Sequence, residues 1–166
     1  MNKDTIALII SITSMIVALL SLSWNIYRDI VLKAKLKVRC MVSFISSPAF
    51  EKPLERVIIS ATNFGPGKIR LAMLFLKDTS FWTIITRKRK YAALIHDYTD
   101  PLSGKLPCEL EVGEGRDYLF RFDKDCFLSE RWTHIGVKDS FGRIHWAPKS
   151  NVKTAKQMYK DKFTKK

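Results

Sequence analysis

Catalytic signatures are what this chain lacks. It has no Walker loop, no G-x-G-x-x-G turn, no H-E-x-x-H helix and no G-x-S-x-G elbow. The local arrangements that cradle phosphates, pair zinc with a general base or expose a nucleophilic serine are therefore missing. Cysteine is scarce. Cys40, Cys108 and Cys126 form no C-x-x-C pair and leave an odd thiol, which argues against a disulfide framework and fits free cysteines in a reducing compartment. No adjacent cation marks Cys108 or Cys126 as activated, so both read as core or edge thiols.

Histidine is equally sparse. His96 beside Asp97 reads as a solvated surface pair rather than a base with its orienter. His134 and His145 fall on the two strands of one expected hairpin, and whether they share a face depends on its register. Without a third ligand at metal spacing they do not make a zinc site. Asp123 and Asp125 flank Lys124 too thinly for a calcium loop. The sequence thus leads us to expect no enzyme, no catalytic residue, no cofactor and no metal.

A third absence is positive evidence. No residue from Thr5 to Tyr27 carries a charge, and Ile, Leu, Val and Met dominate the run. As a helix rising about 1.5 Å per residue, it is long enough to cross a hydrocarbon core of roughly 30 Å. Trp24 and Tyr27 close it as interfacial aromatics, where a signal peptide would have a shorter apolar core and a small-residue cleavage site. Cations then arrive together at Arg28, Lys33, Lys35, Lys37 and Arg39, against Asp29 alone. The amino-terminal side offers only Lys3, offset by Asp4. The positive-inside bias leads us to expect the amino terminus outside and the rest of the chain in the cytoplasm.

Within the apolar run, Ala7, Ser11, Ser14, Ala18, Ser21 and Asn25 follow one another at intervals of four, three, four, three and four. That spacing puts small and polar residues on one helix face, with the large aliphatics off it. Small side chains let helices approach closely in lipid, and Ser or Asn can hydrogen-bond across the contact. Self-association through the span is the expectation. A dimer would bury the stripe, whereas a larger ring could line a narrow water path with hydroxyls.

Net charge is +13 at neutral pH. Three clusters account for it, the rest of the chain being close to neutral: the juxtamembrane stretch, Arg87, Lys88, Arg89 and Lys90, and the Lys-rich tail from Lys149. Arg28, Lys33, Lys35, Lys37 and Arg87 to Lys90 are the candidate contacts to anionic inner-leaflet lipid or to an anionic ligand. Phe81, Trp82 and Tyr91 lie near the second cluster. Bases stack on aromatics while cations hold phosphate, so a nucleotide or nucleic acid is a conceivable partner there.

The remaining chain suffices for one compact domain. "KLKVRCMVSF" alternates, with Leu36, Val38, Cys40, Val42 and Phe44 on one face, as a half-buried strand would. "ERVIISATNF" and "KIRLAMLFLKD" are further strands joined at Gly65, Pro66 and Gly67. "SFWTIITR", "YAALI", "CELEV" and "DYLFRFD" continue the series, and "WTHIGVKDSFGRIHWAP" reads as a hairpin turning at Asp139 to Gly142. Short strands with regular turn signals indicate an antiparallel β-sandwich. The expected organisation is an anchor over 1–27, a basic linker over 28–35, an all-β sandwich over 36–148 and a Lys-rich amphipathic tail over 149–166. In that tail Val152, Ala155, Tyr159 and Phe163 recur at helical spacing, to pack on the sandwich or lie on the membrane.

"IISATNFGPGKIRLAMLFL", "LEVGEGRDYLFRF" and "GVKDSFGRIHWAP" resemble the immunoglobulin-like sandwiches of bacterial proteins. Anchor, basic junction and small domain together resemble a broad group of bacterial single-pass membrane proteins, over roughly residues 24 to 148. The resemblance implies a fold and no catalytic residues; the positive-inside bias adds the expectation of a bacterial inner membrane. Two functions are compatible with it. One is a tether or sensor for a cytoplasmic protein partner. The other is an oligomeric membrane effector gated by an anionic nucleotide, as in antiviral defence.

Overall fold

The structure, a computed structural model, describes residues 3–30, 35–46, 53–79, 90–95 and 100–164. Helix α1 (Lys3–Ile30) holds the uncharged run. Its apolar stretch Lys3–Tyr27 is long and apolar enough to cross a membrane, and none of its most apolar window is buried against the rest of the chain. At 28 residues it extends about 42 Å. Trp24 and Tyr27 meet at its end with ring centroids 5.9 Å apart.

An antiparallel β-rich body follows, built as two sheets. The first orders β1 (Leu36–Ile45), β2 (Leu54–Asn63) and β6 (Gly115–Arg121) side by side. The second runs β4 (Lys90–Leu94), β3 (Ile69–Asp78), β7 (His134–Asp139) and β8 (Ile144–Trp146), and β5 (Cys108–Leu110) also pairs with β3. Both β4 and β5 occupy the same edge of β3, end to end. Asp78 faces Lys90 at one end of that edge and Ile69 faces Leu110 at the other.

Alternation drives the burial. Val38 and Cys40 of β1, Val57, Ile59 and Ala61 of β2, and Tyr118 of β6 meet Leu71, Leu74, Ile135 and Val137 of the second sheet in one core. The β1 pattern fails at its far end, where Phe44 is exposed. Strand β3 changes phase midway. Ile69 and Leu71 point inward, then a bulge between Leu71 and Met73 shifts the register, so that Leu74, Leu76 and Asp78 are the buried set. An extra residue in one strand moves every later side chain to the opposite face.

The last hairpin turns at Asp139 to Gly142, as its sequence indicates. Asp139 pairs across the turn with the Arg143 carbonyl at 2.9 Å, and Gly142 has a positive φ of 82°. Gly136 lies beneath the Trp146 ring. A Cβ there would meet Trp146 at 2.7 Å, so the close crossing of β7 and β8 requires glycine.

Helix α2 (Lys149–Phe163) starts after Pro148. Its Val152, Ala155 and Tyr159 are buried in the core and Phe163 packs against it. The helix touches β1, β7 and the 3-10 turn Phe127–Ser129. Tyr159 donates its hydroxyl to the Lys124 carbonyl at 2.6 Å, and Phe122, Tyr159 and Phe163 form an aromatic cluster. The tail's buried stripe is therefore spent on the body, leaving a mainly polar, Lys-rich face for other contacts.

Candidate functional site

The two ends of the body differ in chemistry. Strand β1 begins at the end where β2 stops, β3 starts and β7 turns into β8. Helix α2 is joined to the opposite end, where Lys162 pairs with Glu55 at the start of β2. The cations expected to act together are therefore split. Lys35 and Lys37 lie at the first end, and Lys90, opposite Asp78, lies at the other. The side chains of Arg28, Lys33, Arg87, Lys88 and Arg89 fall outside the described residues, as do Phe81, Trp82 and the His96–Asp97 pair.

At the α2 end, spacing assembles a groove of about 360 Å³. Lys149, Lys153, Lys156 and Lys160 follow at intervals of four, three and four along the flank of α2, facing Trp132 and Thr133, with Gln157 also in the wall. This is the helical repeat again, on the side flanking the buried stripe, and Val152 of that stripe also lines the groove. Lys156 donates to the Glu130 carbonyl at 2.5 Å. Burial first, and the neighbouring Lys160 second, hold its ammonium below the usual lysine range. Among the described residues no carboxylate lies within ion-pair distance of Lys149, Lys153 or Lys160.

Trp132 also lines a second hollow of about 350 Å³, with Asp78, Lys90, Glu130 and Arg131. One aromatic side chain thus stands between a four-lysine groove and the last cation of the Arg87–Lys90 cluster. Unpaired cations beside a half-buried aromatic suit an anion that carries phosphates and a planar ring. A volume of this size lies within the range of small-molecule sites.

His134 borders this region. Its Nδ1 lies 2.8 Å from the Thr133 hydroxyl and its ring meets Trp146 edge-on at 5.8 Å. Burial, then Lys149 and Lys77, hold it below the usual histidine range. Its hairpin partner points elsewhere. His145 lies opposite Val137, on the buried face, where its Nε2 is 3.1 Å from the carboxylate of buried Asp139. The same carboxylate accepts from the Arg143 backbone at 2.8 Å. The two histidines are on opposite faces, and the Asp139–His145 pair closes a turn. Among the described residues no group of three or more His, Cys, Asp or Glu is placed to hold a metal.

The thiols are free and mostly shielded. Burial pushes Cys40 up to about 12, with Cys126 adding to the shift, and burial likewise raises Cys126. Cys108 is half-buried, with its sulfur 3.3 Å from the Tyr118 hydroxyl.

The expected association stripe, Ala7, Ser11, Ser14, Ala18, Ser21 and Asn25, lies within α1 and is exposed along its whole length. The sequence marks this stripe, Lys90 and the tail lysines as a charge cluster, but not the meeting of those lysines with Trp132 in one groove. The available signal was the four-three-four lysine spacing beside Val152, Ala155 and Tyr159.

Comparison with protein-family models, with curated proteins and with solved structures gave no match. The functional reading therefore rests on this chain's own residues.

Proposed function

We propose that the chain is a single-pass protein of a bacterial inner membrane, self-associating through α1 and presenting a cytoplasmic immunoglobulin-like β-sandwich as a tether or sensor for a partner. The observation that carries this reading is the division of apolar surface. Helix α1 contributes nothing to the core, while the β body and α2 bury a complete one without it. An apolar helix of this length with no protein covering it finds its solvent in lipid. Alkaline carbonate extraction of membranes tests it. Retention of full-length chain in the pellet is expected; a shortened, released chain would make α1 a signal sequence instead.

The four-lysine groove favours the second reading, an effector gated by an anionic nucleotide. A ligand drives such a switch only by binding one arrangement of the helices better than the other. Titration of the detergent-solubilised full chain with ATP and with a cyclic dinucleotide, in physiological salt, tests it through tryptophan fluorescence. Saturable quenching, weakened about tenfold or more by Lys153→Glu with Lys160→Glu, supports the effector. A flat titration at millimolar nucleotide leaves the tether.

A further inference from the structure

The end of the body that receives the chain from α1 carries three exposed apolar tips. Phe64 is 61% exposed, Val112 57% and Phe141 76%, each at the crest of a different turn. These turns belong to one surface. Phe64 donates its backbone N–H to the Lys35 carbonyl at 2.7 Å, and Gly113 donates to the Asn63 carbonyl at 2.8 Å. Ser140 donates to the Arg70 carbonyl at 2.9 Å, beside the start of β3. Two of the tips carry a cation on the ring. Lys37 Nζ lies 5.8 Å from the Phe64 centroid, and the Arg143 guanidinium 5.8 Å from that of Phe141. The nearby acids are largely matched: Glu111 pairs with Lys68, Glu114 with Arg116, and Glu109 lies across from Arg70. Lys35, Lys37 and Arg143 remain in excess.

The chain itself limits where this surface can go. Ile30 ends α1 and Lys35 is already hydrogen-bonded into the body. Five peptide steps reach at most about 17 Å. Phe64, bonded directly to Lys35, therefore cannot leave the neighbourhood of the headgroup layer if α1 spans the bilayer.

We propose that this end, with Phe64, Val112 and Phe141 as its inserted tips and Lys35, Lys37 and Arg143 as its phosphate contacts, docks on the anionic lipid headgroups of the membrane that α1 crosses. The inference rests on the spanning reading of α1. Aromatic and aliphatic tips enter the interface, and each cation adds roughly a fivefold preference for anionic lipid. Docking also orients the body. Strand β3 is ten residues long, so the lysine groove at its other end stands about 30 Å from the lipid and takes its anion from the cytoplasm.

The test uses the full chain reconstituted in vesicles, with a spin label on Val112→Cys in a Cys108→Ser background. Flotation with the vesicles first checks that α1 is inserted, and a chain that does not float overturns the spanning reading itself. In floating protein, the label is expected to be shielded from a water-soluble nickel quencher in phosphatidylglycerol-containing vesicles. It should become accessible in pure phosphatidylcholine or after Phe64→Ser with Phe141→Ser. A label on Lys153→Cys should stay accessible throughout. A Val112 label that is accessible in floating protein with Phe64 and Phe141 intact, in phosphatidylglycerol-containing vesicles, overturns the proposal. So does shielding that ignores lipid charge and grows with protein density, which would assign the surface to a second copy of the chain.

Discussion

The side-chain amide of Asn63 donates to the Gly67 carbonyl at 2.8 Å, holding the turn between the two sheets against the end of β2. Asn63 is fully buried. The same amide lies 3.1 Å from the Leu110 carbonyl and 3.2 Å from that of Glu111, while its oxygen accepts from the Gly65 N–H at 2.9 Å. One residue therefore joins the turns that carry Phe64 and Val112.

Asn63→Ala should destabilise the protein by about 2–4 kcal/mol, because it strands several buried backbone groups at once. Asn63→Asp should be no better, since a carboxylate cannot donate to the three carbonyls that face it. Urea unfolding followed by circular dichroism measures both. A loss below about 0.5 kcal/mol would deny Asn63 this role.

Reactivity should separate the thiols. A thiolate is the reacting species, and Cys40, pushed up to about 12 by burial, supplies almost none at pH 8. A thiol reagent should modify only Cys108 rapidly in the folded chain, and Cys40 and Cys126 only after denaturation. Mass mapping of the modified peptides reads this directly. The same burial gives an alkaline limb to stability. The unfolded Cys40 loses its proton near pH 9 and the folded one only near 12, so stability falls as pH rises above about 9.

On the acid side the sign is set by His134. Its folded value lies below the ordinary 6.5, so the unfolded chain takes up a proton first. Stability present above about pH 6.5 is then lost as pH drops toward the folded value. His134→Gln should flatten this part of the stability profile measured between pH 7 and 5. An unchanged slope would place the proton uptake elsewhere.

Ser14→Leu with Ser21→Leu places bulk on the small-residue face of α1. Close helix packing in lipid depends on small side chains. Crosslinking of the full chain in membranes should drop to the background of a non-associating helix, with the apolar length of α1 and its insertion retained. Undiminished crosslinking would move the contact off this stripe.

Much of the architecture is legible in the sequence because it follows simple periods. The uncharged run gives α1, alternation gives β1, the turn residues at Asp139 to Gly142 give the last hairpin, and Val152, Ala155 and Tyr159 give the buried face of α2. What was hidden depends on tertiary partners. The bulge after Leu71 reverses the burial of β3 without any Gly or Pro to mark it. Sharing one edge of β3 between β4 and β5 is a long-range choice. The Asp139–His145 pair and the meeting of Trp132 with the α2 lysines depend on register and docking, which no local pattern encodes. The small-residue stripe of α1 was legible as one helix face because a helix face can be read from one chain alone.

Anchorage of a cytoplasmic body by α1 is read most directly by a pair of carboxyl-terminal reporters on the full chain. One fluoresces only in the cytoplasm and the other is active only after export. Cytoplasmic fluorescence in the membrane fraction and no export activity are expected. An active exported reporter would reverse the orientation, and with it the assignment of the lysine groove to a cytoplasmic ligand.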